Sequence, residues 1–194
     1  MDCDTVITLF IFPFQSLKGR AVHCHYDEVM QIMNGLPAKV FGNDNEDLGV
    51  LNGGSLDYLH FKEVLRDHRV FVYGGTWPAP YTLGFMEALM TGIPVVALGQ
   101  HLAQNPNGIA QLDRFEFYEV HEFIKNGENG LLVTIGDTQE LSQAIISCIR
   151  TDTGKQLGKK ARKVVEEKFS LQSVVERYKN LYMELTLSNH NIKL

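Results

Sequence analysis

What this chain has little of bounds it first. Its 194 residues include only three cysteines, Cys3, Cys24 and Cys148. They are odd in number, widely spaced and without a CxxC, which indicates neither a disulfide framework nor a zinc site and fits a reducing, cytoplasmic setting. Basic charge is also short: 18 Lys and Arg against 23 Asp and Glu leave a net charge of −5. A nucleic-acid partner would demand a basic face, so that class is disfavoured. No apolar run approaches the roughly 20 residues that span a bilayer. The nearest candidate, Val6–Phe14, is short, lacks a basic leader and reads as a strand. Peripheral membrane contact through one basic face stays open. There is no GxGxxG and no GxxxxGK[ST], so dinucleotide and P-loop fingerprints are missing. Internal repeats and low-complexity tracts are absent as well.

What is present is an alternation of strand-length and helix-length segments, with 44% apolar residues, enough for one domain with its own core. Thr5–Phe12 is apolar and β-branched, and Phe10, Phe12 and Phe14 alternate as the core face of a strand would. Tyr26–Asn34 has helical spacing and stops at Gly35, and Ala38–Phe41 is a short strand closed by Gly42. Ser55–Asp67 reads as a helix capped by Ser55 or Asp57, with Leu59, Val64 and Leu65 as its apolar stripe. Arg69–Tyr73 is a buried strand ending in Gly74-Gly75-Thr76. Gln100–Arg114 is a polar loop, Glu116–Asn126 is helical, and Leu131–Val133 is a last strand. Helices follow over Thr138–Arg150 and Gly154–Leu185, with Phe169-Ser170 marking a break and a new cap, and residues 186–194 form a frayed tail. This order predicts an α/β fold: a single Rossmann-like domain over residues 1–185, with a parallel sheet of about six strands and helices on both faces.

The richest stretch is Pro78–Gly99, PAPYTLGFMEALMTGIPVVALG. Pro78 and Pro80 oppose helix. Thr82 can cap a helix that runs from Leu83 to Met90, and Gly92 supplies its C-terminal stop. Ile93–Leu98 is then a strand buried on both faces. In a parallel sheet, ligands collect at the carboxyl ends of the strands. A helix that starts there directs free N–H groups and a positive dipole end at whatever binds, commonly an anion. Within this helix Glu87 is a carboxylate among apolar neighbours.

These residues carry a resemblance. Glu87-Ala88-Leu89-Met90-Thr91-Gly92-Ile93-Pro94-Val95-Val96, followed by Asn126-Gly127-Glu128-Asn129-Gly130-Leu131-Leu132-Val133, resembles the C-terminal, nucleotide-sugar-binding half of GT-B glycosyltransferases of the retaining family 4 (group 1) type. That family reads E-x-F-G-x-x-x-x-E-A-M-A-x-G-x-P-V-V and then N-G-x-x-G before a strand. The similarity runs from about Arg69 to Leu185, and more weakly from Thr5.

The resemblance implies a set of roles. Glu87 would hold the ribose hydroxyls of the donor nucleotide, since a carboxylate accepts from both members of a vicinal diol. Backbone N–H groups of Thr82, Leu83 and Gly84 would cradle its diphosphate. The family's basic pair near the first strand finds its candidate in Lys18 and Arg20, with a solvated basic turn as the alternative. Gly74, Gly75 and Thr76, at the end of a strand, would border the donor. The implied substrate is a UDP-, GDP- or ADP-sugar, with no permanently bound cofactor. The spacing of His23 and His25 allows a shared strand face, but no third ligand stands at clear spacing and the family generally needs no bound metal. One departure stands out: the family's first glutamate, eight residues before the second, is Ala79 here. With the first strand only a few residues from Met1, the N-terminal acceptor domain is read as absent, to be supplied in cis or trans. A non-catalytic nucleotide-binding or interaction module, and an epimerase acting on sugar nucleotides, are the alternatives.

Overall fold

The computed structural model describes residues 6–9, 26–42, 46–74, 83–99 and 120–190. Among the described residues six strands form one sheet: β1 (Val6–Leu9), β2 (Ala38–Phe41), β3 (Asn52–Gly54), β4 (Val70–Tyr73), β5 (Val95–Leu98) and β6 (Leu131–Val133). Their order is β3-β2-β1-β4-β5-β6, and every pairing is parallel. The helices are α1 (Tyr26–Met33), α2 (Tyr58–Asp67), α3 (Leu83–Thr91), α4 (Val120–Phe123), α5 (Thr138–Arg150), α6 (Asp152–Phe169) and α7 (Leu171–His190). This is the six-strand doubly wound order, in which the chain reverses direction across the sheet between β1 and β4. The fold is α/β and Rossmann-like, as the alternation predicts.

Strand alternation builds two cores. Phe71, Tyr73, Val95, Ala97 and Leu132 face α2, α3, α4 and α6, where Phe61, Leu65, Phe85, Leu89 and Val165 are buried. Val70, Val72, Val96, Leu98 and Val133 face the opposite way, against Val29 and Met33 of α1 and Leu141 and Ile145 of α5. All four residues of β4 and of β5 are buried, which is why these strands read as unbroken apolar runs.

Local chemistry sets the boundaries. Asp57 caps α2, its carboxylate accepting from the N–H groups of Leu59 and His60, so Ser55 is not the cap. Asp137 caps α5 by accepting from Glu140, whose own carboxylate reaches back to the Thr134 N–H at 2.7 Å. Gly92, at φ 79°, ends α3 in the left-handed conformation that glycine adopts without strain. Ser170 caps α7, accepting from the Ser173 N–H.

Several expectations need correction. Leu59 is 66% exposed and belongs to no apolar stripe, because the face of α2 that meets the sheet carries Phe61 and Leu65. Of the helix expected over Glu116–Asn126, Val120–Phe123 is helical and residues 124–126 are not, since Asn126 begins the turn into β6, while residues 116–119 lie outside the described residues. Helix α7 continues to His190, past Leu185. Asn52-Gly53-Gly54, to which the sequence assigned no element, forms edge strand β3, with the Phe41 ring lying against Gly53 where a Cβ would stand only 2.6 Å away. Residues 10–25 and 100–119, with Phe10, Phe12, Phe14, His23, His25 and the polar loop, lie outside the described residues.

Candidate functional site

Helix α3 follows β4 and returns to β5, so its N-terminus lies at the carboxyl edge of the sheet and its C-terminus at the amino edge. Helix α2, which follows β3, starts at the same carboxyl edge. A line of rings anchors α3: Phe71 stacks on Tyr73, the Tyr73 and Phe85 centroids are 4.6 Å apart, and Phe85 meets Phe123 edge-on. Gly84, Phe85, Ala88 and Leu89 form the buried side of α3.

Glu87 stands on the remaining, half-buried side. Burial raises its pKa above the ordinary glutamate value, while the nearby Lys62 charge and a hydrogen bond with Tyr58 pull it back. Lys62 itself lies over the Tyr58 ring, 4.3 Å from the centroid. Tyr58 is 61% exposed, so the cluster opens to solvent on the α2 side. The result is an acceptor carboxylate flanked by a phenol and an ammonium, on the helix that starts beside the β1–β4 crevice. Such a group can take hydrogen bonds from a polyhydroxylated ligand.

Sequence reasoning missed Tyr58 and Lys62. They sit four apart, on one face of a helix that begins at the ligand edge, and that spacing behind the Asp57 cap was the available signal. Of the expected site residues, the structure brings Leu83, Gly84 and Glu87 together on α3, with Leu83 81% exposed and Gly84 buried. Gly74 follows β4 directly and is buried. Lys18, Arg20, Gly75, Thr76, Ala79 and Thr82 lie outside the described residues. Among the described residues no cluster of three or more His, Cys, Asp or Glu could hold a metal ion, and no helix is long and apolar enough to cross a membrane.

The Asn126–Gly130 motif has a structural role. Asn129, 4% exposed, accepts from the Lys125 N–H at 2.7 Å and donates to the Phe123 carbonyl at 2.6 Å. The Asn126 side chain accepts from the Leu132 N–H. The motif therefore locks the end of α4 to the start of β6.

This fold is a Rossmann-like domain of the kind GT-B glycosyltransferases contain. Sucrose-phosphate synthase from Thermosynechococcus elongatus superposes with a TM-score of 0.66 at 16% identity, over 97% of this chain and 47% of that one. HepE from Anabaena, solved in complex with UDP-glucose, gives 0.61 at 16% identity, over 94% of this chain and 49% of that one. A mutant of TarM from S. aureus, in complex with fondaparinux, alpha-GlcNAc-glycerol and UDP, gives 0.61 at 17% identity, over 94% and 36%. The chain thus spans between about a third and a half of these structures. No protein-family model and no curated protein matches it in sequence.

Proposed function

We propose that this chain is the donor-binding half of a retaining glycosyltransferase of the family 4 type. It would take a sugar from a nucleotide sugar and pass it to a hydroxyl acceptor held by an N-terminal Rossmann-like domain, in cis or in trans. The observation that carries this reading is Glu87, a half-buried carboxylate on the helix that starts at the ligand edge of the sheet.

In this reading Glu87 accepts hydrogen bonds from the ribose hydroxyls, with Tyr58 and Lys62 orienting its carboxylate. The N–H groups of Thr82, Leu83 and Gly84 receive the diphosphate at the positive end of α3. Gly74, Gly75 and Thr76 border the donor. Breaking the sugar–phosphate bond builds charge on the leaving diphosphate, and Lys18, Arg20 and the helix dipole stabilise it. The leaving phosphate itself takes the acceptor proton on the same face of the sugar, so no protein nucleophile is needed. The nucleotide sugar is a substrate and not a resident cofactor, and the setting is cytoplasmic glycan or glycoconjugate synthesis.

Two observations support a partner domain. The three solved structures compared above are covered over only 36–49% of their length. Helix α7 also leaves Tyr178, Leu181, Tyr182 and Leu185 between 51% and 71% exposed at helical spacing, a face that a second domain would cover.

Calorimetry with UDP-, GDP- and ADP-sugars tests the site. Heat with one nucleotide class, lost in Glu87→Ala, is the expected result. No heat with any of them, or an affinity unchanged by the substitution, overturns the assignment. Ala79, where the family carries its first glutamate, favours a second reading as a non-catalytic nucleotide-binding module. Tight binding without turnover, even with candidate N-terminal domains added, would select that reading.

A further inference from the structure

At the opposite, amino edge of the sheet lies a cleft of about 580 Å³. The ends of α2, α3 and α5 and the first turns of α6 form its walls, and Leu65, Ile93 and Cys148, each no more than 4% exposed, form its floor. Its rim carries Arg66, Arg69, Lys155 and Lys159 against Asp67 and Asp152, an excess of two positive charges on a chain whose net charge is −5.

Farther along α6, Arg162 pairs with Glu166 at 2.6 Å and Lys163 with Glu167 at 3.8 Å, and on α7 Lys179 pairs with Glu176 at 3.2 Å. Lys155 and Lys159 stand one turn apart on the cleft side, and among the described residues neither they nor Arg66 meets a carboxylate within ion-pair distance. Like charges four apart on a helix repel, at a cost of a few tenths of a kcal/mol. Here the two exposed lysines share the cleft's rim with Arg66. Arg69 donates to the Ile149 carbonyl at 2.8 Å, which fixes its guanidinium at the rim. The 18-residue α6 directs its positive end to the same edge, with Thr151 capping the Thr153 N–H and Asp152 in the first turn.

We propose that this cleft is a second binding site, taking a small ligand with two phosphate-type groups. The paired lysines engage one group, and Arg66 with the start of α6 engages the other. The volume lies within the range of small-molecule sites, and the apolar floor accommodates a non-polar portion of the ligand. The site is independent of the donor reading, because it lies at the other end of α3 from Leu83 and Gly84.

The test uses inorganic pyrophosphate as the probe, followed in the amide NMR spectrum of the whole chain at low salt. Saturable shifts at Thr91, Gly92, Thr153 and Lys155 are expected. Gly84 and Phe85 report separately on the carboxyl edge. The double variant Lys155→Gln, Lys159→Gln removes two exposed charges and no core contact, so its thermal melt should match the wild type. Its affinity for pyrophosphate at those amides should fall at least about tenfold, the loss of two charge-assisted contacts. Amides that do not move, or that titrate identically in a folded double variant, would overturn the proposal.

Discussion

Gly158 of α6 lies directly against the carbonyl of Gly92, where α3 turns into β5. A Cβ on Gly158 would overlap the Gly92 carbonyl oxygen and stand 3.1 Å from the Ile93 carbonyl carbon. The contact is backbone on backbone, so no side chain can swing aside. It sets how closely α6 approaches the helix that bears Glu87.

Gly158→Ala should therefore destabilise the fold by about 1–3 kcal/mol, the usual cost of overpacking, because α6 must lift away from α3. Urea denaturation measures it. A midpoint equal to the wild type would show that the interface opens freely.

Glu87→Gln should separate binding from stability. Burial raises the Glu87 pKa in the folded chain above its unfolded value, so the folded state penalises the charged form. Removing the charge should leave the melting temperature at neutral pH unchanged or higher. Nucleotide affinity should fall by about tenfold or more, the worth of hydrogen bonds to a charged acceptor. By the same sign, wild-type affinity should weaken as pH falls through the raised pKa, starting at a higher pH than for an ordinary glutamate. Paired calorimetry and melts at several pH values check both halves.

Burial pushes the Cys148 thiol up to about 11 from 9.0. At neutral pH the thiol is protonated in both folded and unfolded chains and contributes no pH dependence. Between those two values the unfolded chain loses its proton and the folded chain keeps it. Stability should then fall with rising pH by roughly 1.4 kcal/mol per unit. The difference between wild type and Cys148→Ala, followed by urea melts at pH values spanning that window, isolates this slope from other titrating groups. Parallel slopes would refute it.

Asn129→Ala should cost about 2–4 kcal/mol, because it removes two hydrogen bonds made by a buried side chain, one with the Lys125 N–H and one with the Phe123 carbonyl. Hydrogen exchange at Lys125 should accelerate in parallel, and an unchanged melt would mean that water replaces the side chain.

Much of the fold was legible because its signals are local. Val70–Tyr73 and Val95–Leu98 are apolar at every position, which only a strand covered on both faces requires. Thr138–Arg150 carries its own capping pair in Asp137 and Glu140. Asn52-Gly53-Gly54 was not legible, because nothing in three turn-forming residues signals a strand. Its pairing depends on the Phe41 ring filling the space above Gly53, a contact made only once β2 is in place.

The same division runs through the site. The sequence by itself determined that a helix begins at Leu83, stops at Gly92 and carries one carboxylate, since capping, helical period and glycine stops depend on neighbours a few residues away. Only the tertiary structure decided what surrounds that carboxylate. Tyr58 and Lys62 come from an earlier helix, with strand β4 between, and they reach Glu87 because α2 and α3 pack side by side on the same face of the sheet. Long-range packing brings distant polar and charged groups together, and no local pattern records which groups those will be.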